Sequence, residues 1–299
     1  MKMSVLIVSY RRPELLANCL RSLQRQTRLP DEILVVGVEG DNATEAVARS
    51  CKEVHWLASP VGDVVRQLNL GLARATGDIV CLIDDDAEAF PDWLEQIAPH
   101  YADHRVGAVG GPDYLHDEQG HRITGKATRI GHITWFGRLQ GNHHLFYPHV
   151  VIVDVLKGCN MSFRRALVPA IDERLSLGGR CHHWELDIAM RIHRQGKVLV
   201  YDPSVRVNHY PGPRTSVLDQ DWVYMANFNL TFVFLKYFSP LQRFVFLLYT
   251  FLWGDFPEMG LVVFLKIYLS RLLRYRDVGF VRLLSVSMQG KLDALQVLR

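Results

Sequence analysis

Two hydrophobic periods alternate across seven segments within the first 86 residues, and this alternation restricts the architectures open to the chain more than any other feature. Short apolar runs at Val5 to Val8, Ile33 to Val36, Val54 to Leu57 and Ile79 to Ile83 predict strands. Between the first two, Pro13 to Arg25 places Leu15, Leu16, Cys19, Leu20 and Leu23 at helical spacing. Segments from about Thr44 to Cys51 and from Val64 to Ala75 predict two more helices, the last stopped by Gly77. Strands separated by helices build a mostly parallel, Rossmann-like α/β sheet with helices on both faces. From Val106 onward glycine and proline are denser, which predicts a sheet extension and loops. Gly107 to Gly111 reads as a sharp turn, because no helix pattern follows it as a dinucleotide fingerprint requires. A helix from about Trp184 to Gln195, capped by Gly196, and a strand from Lys197 to Tyr201 complete the pattern.

The fourth apolar run ends in three consecutive carboxylates, Asp84, Asp85 and Asp86. Like charges this close repel unless a cation sits among them, and the carboxyl end of a buried strand is where open α/β sheets bind ligands. Oxygen ligands suit a hard divalent ion, Mg²⁺ or Mn²⁺, completed by waters and substrate phosphates. The alternative is a solvated acidic turn.

A hydrophobic share of 48% with 22% charged residues is a globular balance that excludes disorder. The cysteines, five in all at 19, 51, 81, 159 and 181, form no C-x-x-C pair, so neither a disulfide framework nor a zinc site is indicated, and a reducing compartment is expected. A strand-like run begins almost at once, so no secretory signal is expected. Charge is uneven: from Thr231 onward nine Lys/Arg face four acids, although the whole chain carries only +3. The same tail holds apolar runs at Phe244 to Trp253 and Gly260 to Leu265, short of the roughly 20 residues a spanning helix needs. Such a tail forms either helices lying in an anionic membrane interface or core helices packed on the main domain. A nucleic-acid partner is not expected, because the basic residues are interleaved with bulky apolar surface.

Several segments together resemble the family 2 glycosyltransferases of GT-A fold: Ser4-Val-Leu-Ile-Val-Ser-Tyr-Arg-Arg-Pro, Gly71 to Asp86, Gly158-Cys-Asn-Met-Ser-Phe-Arg-Arg, and Trp184-Glu-Leu-Asp-Ile-Ala-Met-Arg followed by Gly196 and Tyr201-Asp-Pro. The resemblance covers roughly residues 3 to 210 and implies a GT-A domain over 1–215 with a helical, basic and apolar extension over 216–299. It implies a metal-dependent inverting transfer from a nucleotide diphosphate sugar, UDP-sugar by default, to a glycan or lipid-linked acceptor in cell-surface polysaccharide synthesis. Mn²⁺ or Mg²⁺ is the implied cofactor, held by Asp86, Asp84 and His209. The donor contacts implied are Ser9, Tyr10, Arg12, Glu39, Arg66, Asn69, Asp84 and Asp85. Glu185 matches the catalytic base, with Asp187 as a second acid that either shares the chemistry or braces the site. Asn160 and Trp184 fall on the acceptor side, Trp184 as a sugar platform or as core. His209 is either a ligand or a structural histidine.

The chain departs from the family pattern at Gly37, where relatives carry an aspartate at the end of the second strand; Glu39 or Asp41 could replace it. Leu68 stands where relatives carry arginine, with Arg66 the nearest substitute. His143, His144 and His149, and the adjacent pair His182 and His183, lack zinc-ligand spacing and read as loop residues. A nicotinamide oxidoreductase is disfavoured because the first turn is Ser9-Tyr-Arg-Arg-Pro rather than glycine-rich. A non-catalytic membrane-associated scaffold derived from a glycosyltransferase is the stronger rival, and turnover discriminates it. From the basic tail, peripheral attachment to the inner, cytoplasmic face of the plasma membrane is expected.

Overall fold

β1 (Met3–Val8) is an almost wholly buried strand, and burial on both faces is why its apolar run is continuous rather than alternating. A computed structural model describes residues 1–176, 182–211, 220–255, 258–272 and 278–298. β1 is followed by α1 (Pro13–Gln24), with proline in its first turn, then β2 (Glu32–Val38), α2 (Asn42–Ser50), β3 (Val54–Ser59), α3 (Val64–Arg74) and β4 (Ile79–Ile83). Aspartates start two of these helices. The Asp41 side chain accepts from Thr44 N at 3.3 Å, and that of Asp63 accepts from Arg66 N at 2.9 Å.

After the aspartates come β5 (Ala87–Ala89), α4 (Trp93–Ile97), β6 (Val106–Gly110), β7 (Asp113–Leu115), β8 (His132–Ile133), β9 (Leu139–Gln140), β10 (Val151–Val153), β11 (Asn160–Arg164), α5 (Glu185–Arg194), β12 (Val198–Tyr201) and β13 (Val207–His209). The main sheet has eight strands in the order β10-β12-β6-β11-β4-β1-β2-β3. β4, β1, β2 and β3 run parallel, as their helical crossovers demand, while β11 is inserted antiparallel between β4 and β6. A second sheet, β5-β13-β7, pairs His209 with Ala87 and Val207 with Asp113.

The turn expected at Gly107 to Gly111 is instead largely β6, a fully buried strand. Its glycines serve close packing: a Cβ at Gly107 would strike Ile192, and one at Gly110 the carbonyl of Asn160. The main core joins Val5, Ile7, Leu16, Leu20, Val35, Ile83 and Trp93.

The chain divides into two compact units, Met1–His132 with Gln140–Glu173 and Ile188–Pro213, and Ile133–Leu139 with Arg174–Asp187 and Arg214–Arg299. The second unit therefore adds two earlier segments to the expected extension over 216–299. It holds α6 (Gln220–Tyr237), α7 (Pro240–Leu252), α8 (Leu261–Leu272) and α9 (Val278–Val297). α6 is buried all round from Val223 to Phe234 except at Tyr224, and α9 approaches it closely at Gly290, where a Cβ would meet the Tyr224 carbonyl. Stacked rings of Phe234 and Phe246, 4.3 Å apart, fasten α7.

α7 opens with a capping box in which Ser239 and Gln242 satisfy each other's backbone N–H. One face of α7 packs inward through Phe246 and Thr250, while Leu241, Phe244, Leu248 and Leu252 are exposed. Leu261, Leu265 and Leu269 of α8 are exposed as well. Among the described residues, no helix is long and apolar enough to cross a membrane.

Candidate active site

The ends of β1, β4 and β13 bring Asp84, Asp85, Asp86 and His209 together. β4 runs into the aspartates, whose turn is closed by Ala87 N donating to the Asp84 carbonyl at 3.1 Å. β5 then pairs with β13, and Tyr210 N donates to the Asp86 carbonyl at 2.8 Å, so the end of β13 is fixed to the turn.

Each carboxylate has a different environment. Asp85 is buried, accepting from Ser9 Oγ at 2.7 Å and from Arg12 Nη1 at 3.2 Å. The same Arg12 nitrogen donates to Asp86 Oδ2 at 3.0 Å. Burial and the charge of Asp86 push the Asp85 carboxyl up to about 6 despite those donors. Burial and Asp86 push Asp84 up to about 6 as well. At Asp86 burial opposes ionisation, but His209 and Arg12 hold the carboxyl below its ordinary range.

Asp86 Oδ1 is buried and makes no hydrogen bond, although His209 Nε2 lies 3.2 Å from it. Asp84, Cys159 and His209 present ligand atoms within 4.8 Å of one another. Burial alone disfavours an imidazolium at His209; Cys159, Asp113 and Asp86 nevertheless raise its pKa. Since burial pushes the Cys159 thiol itself up to about 12, the two carboxylates are the groups that hold the proton. A carboxylate whose Oδ1 meets only the His209 imidazole, a second carboxylate whose pKa is raised by burial and by its neighbour, and that imidazole fit a divalent cation, which would relieve the crowded charge. Asp86 also borders an open cleft with Leu15, Asn18, Glu88 and Tyr210.

Three residues of this cluster, Asp113, Lys157 and Cys159, are not among the site residues expected from the sequence. Asp113, at the start of β7, is fully buried between Lys157 Nζ and His209 Nδ1, the latter at 3.3 Å. Burial would raise its pKa, but Lys157 and His209 hold it down at about 2. It orients the His209 ring as an outer-shell carboxylate orients a ligand histidine. Lys157 and Cys159 flank Gly158 of the segment singled out for its resemblance, and Asp113 follows a Gly-Gly-Pro turn; nothing in local spacing tied them to His209. His143 lies in a loop, as expected, but is buried there: its carbonyl accepts from Asp113 N at 3.2 Å, and burial pushes its imidazole down to about 4.

The other donor-side residues are dispersed by what they touch. Tyr10 is half exposed, packed over Gly62. Arg11, at φ 55, donates its N–H to Asp41 Oδ2 at 2.6 Å, so Asp41 holds the β1–α1 turn as well as capping α2. Glu39 is exposed just beyond β2, and Arg66 is exposed on the first turn of α3. The gap at Gly37 is filled: a Cβ there would collide with the Trp56 ring, so packing forbids the family's aspartate.

Asn69 and Asn160 do not offer their amides to a ligand. Asn69 donates to the Ile171 carbonyl at 2.9 Å and accepts from Ile171 N at 2.7 Å. Asn160 donates to the carbonyls of Pro112 and Val205 at 3.0 and 2.8 Å, and accepts from Trp93 Nε1 at 2.9 Å. Both amides brace backbone segments. Gln67 does likewise, donating to the Val36 carbonyl at 2.9 Å.

α5 begins at Glu185, which is half-buried in the first helical turn. Asp187 is wholly buried and accepts from Lys236 Nζ at 2.7 Å and Tyr237 Oη at 2.6 Å, so it braces the helix start against α6 rather than meeting a substrate. Trp184 is buried, and so forms core instead of an open sugar platform.

The chain matches the family model described as glycosyl transferase family 2 over residues 4–167. It is 27% identical over 225 residues to the glucosyl-dolichyl phosphate glucuronosyltransferase of Haloferax volcanii, covering 70% of this chain and 69% of the relative. It is 35% identical to an uncharacterized glycosyltransferase of Bacillus subtilis over 101 residues, 33% of this chain and 37% of the relative. Among solved structures, S. aureus TarS 1–349 superposes with a TM-score of 0.59 at 16% identity, covering 97% of this chain and 81% of that one. The mannosyltransferase of Pyrobaculum calidifontis in complex with GDP-Man and Mn²⁺ gives 0.54 at 18% identity, over 99% and 86%. GalNAc-T7 with UDP, GalNAc and Mn²⁺ gives 0.56 at 14% identity over 78% of this chain, which spans half of that longer one. These likenesses establish the GT-A fold.

Proposed function

Because the chain belongs to glycosyl transferase family 2, we propose that it moves a sugar from a nucleotide diphosphate sugar, UDP-linked by default, to a hydroxyl of a glycan or lipid-linked acceptor, with inversion. The observation that carries this reading is that Asp84, in a cluster with Cys159, and Asp86 both meet His209, with the buried Asp86 Oδ1 3.2 Å from His209 Nε2. Asp84, Asp86 and His209 would hold Mn²⁺ or Mg²⁺, and two of the superposing structures were solved with Mn²⁺. A divalent ion there supplies Lewis-acid stabilisation of the departing diphosphate.

The chain's own residues do the rest. Ser9 and Arg12 fix the Asp85 carboxylate, and the half-exposed Arg12 adds positive charge beside the diphosphate position. Glu185 accepts the proton of the acceptor hydroxyl as that oxygen bonds to the anomeric carbon and the bond to the diphosphate oxygen breaks; nucleoside diphosphate leaves. Glu185 sits in the N-terminal turn of α5. Asp187, held by Lys236 and Tyr237, keeps that turn in place.

We assign the exposed faces of α7 and α8 to an anionic membrane surface. Leu241, Phe244, Leu248, Leu252 and Trp253 would enter the interface, and the tail's excess of Lys/Arg would meet the headgroups. Arg274 and Arg276, which contribute to that excess, lie outside the described residues. A relative's name pairs glucuronosyl transfer with glucosyl-dolichyl phosphate, which supports a lipid-linked acceptor; a cytoplasmic, membrane-peripheral site of action in cell-surface glycan synthesis is part of the same proposal.

The test is a panel of nucleotide sugars incubated with the protein and Mn²⁺ or Mg²⁺. Metal-dependent release of nucleoside diphosphate from at least one sugar is expected. Nucleotide binding without release from any sugar, with or without added acceptor glycans, would favour the scaffold reading.

A further inference from the structure

His182 and His183 lack zinc-ligand spacing in sequence, and the fold supplies the group they are missing. Glu258 comes from 75 residues further along, with its Oε1 2.7 Å from His183 Nε2. One ligand atom from each of His182, His183 and Glu258 lies within 4.8 Å of the others. The His183 ring is more than nine-tenths buried, and its Nδ1 is buried without a hydrogen-bond partner.

Both sides of the cluster are anchored. Asn229 Nδ2 of α6 donates to the His182 carbonyl at 2.6 Å, and the His182 and His183 rings are 4.1 Å apart. On the other side Lys291, fully buried on α9, donates to the carbonyls of Thr250 and Met259 at 2.7 and 2.8 Å and reaches that of Glu258 at 3.4 Å. A buried lysine whose Nζ donates to backbone carbonyls fixes the segment bearing Glu258 without a hydrogen bond to its carboxylate.

We propose that His182, His183 and Glu258 form a site for a borderline divalent cation such as Zn²⁺, distinct from the oxygen-rich aspartate turn. Two imidazoles and one carboxylate are the ligand types zinc prefers, whereas Mg²⁺ seeks oxygen alone. Three protein ligands leave the fourth position to water. The present 2.7 Å separation of nitrogen and oxygen is that of a shared proton. Tetrahedral zinc with bonds of about 2.0 Å sets ligand atoms roughly 3.3 Å apart, so the ion displaces that proton and the pair opens by about half an ångström. The bound ion fixes the residues that lead directly into Trp184 and Glu185. Its role is to staple the start of α5 to the segment after α7, not to touch the donor.

The test titrates the full chain with Zn²⁺ alone against a chromophoric chelator, and with Co²⁺ followed by visible absorption. One equivalent of Zn²⁺ and the visible bands of nitrogen-ligated, four-coordinate Co²⁺ are expected, unchanged in Asp86→Ala. His182→Gln alters a half-buried side chain, and Glu258→Gln keeps its size; each should weaken Zn²⁺ by about tenfold or more while circular dichroism stays native. No zinc uptake at micromolar protein, or uptake lost in Asp86→Ala but retained in His182→Gln and Glu258→Gln, overturns the proposal.

Discussion

Around the aspartate turn the chain buries charge among apolar strands, whereas along α7 and α8 it leaves leucine and phenylalanine facing solvent. Asp85, Asp86, Asp113 and His209 are each less than a tenth exposed, yet Leu241 and Phe244 are 63% and 60% exposed. Each arrangement costs free energy in the isolated chain. Buried like charges repel and shift their own pKa values, while each exposed side chain forgoes roughly 1.5–3 kcal/mol of burial. Helix α6 makes the contrast sharper, because it buries Asn227, Asn229 and Thr231 while its neighbour α7 exposes its leucines. The second unit is thus not short of material for a core. Under the proposed function each of these two surfaces has a partner, lipid for the outward apolar face and a cation with its diphosphate for the buried carboxylates.

The largest expected effect separates chemistry from that binding turn. Glu185→Gln should lower turnover about a hundredfold or more while leaving donor affinity near normal, measured by steady-state kinetics alongside calorimetry. Turnover within about threefold of wild type would move the base elsewhere. Next comes the outward face: Phe244→Glu with Leu248→Glu should reduce co-sedimentation with anionic liposomes about tenfold, and added salt should weaken the wild-type binding. A full-length protein that ignores anionic vesicles at low salt would break the comparison, leaving the α7–α8 face to another partner.

The smallest effect contrasts packing in the two regions. Gly37→Ala forces a methyl into the Trp56 ring and should cost about 1–3 kcal/mol in denaturant unfolding, whereas Leu248→Ser on the exposed face should stay within about 0.5 kcal/mol. Equal costs would mean that Leu248 is not free surface.

What was legible in the sequence follows from the range of the interactions involved. The alternation of β1 to β4 with α1 to α3 was readable to within a few residues, because period and caps are local properties. The aspartate triplet was readable for the same reason, its charges being adjacent. Asp113 and Lys157 were not, since a β7–β13 pairing and a contact across 44 residues bring them to His209. β6 was mistaken for a turn because glycine suits both a bend and the close approach of neighbouring elements. Asn69, Asn160 and Asp187 show a further limit. Their polarity was apparent, but only the fold reveals that Ile171, Pro112, Val205, Lys236 and Tyr237 already use it.

The central claim is that the aspartate turn binds a divalent cation and a nucleotide together. Calorimetry of UDP and GDP binding, with and without Mn²⁺, to the wild-type protein and to Asp86→Ala tests it most directly. The account predicts binding of at least one nucleotide that depends on Mn²⁺ in the wild type and disappears in Asp86→Ala, with circular dichroism unchanged. Equal affinity in the two proteins, or binding indifferent to Mn²⁺, would contradict it.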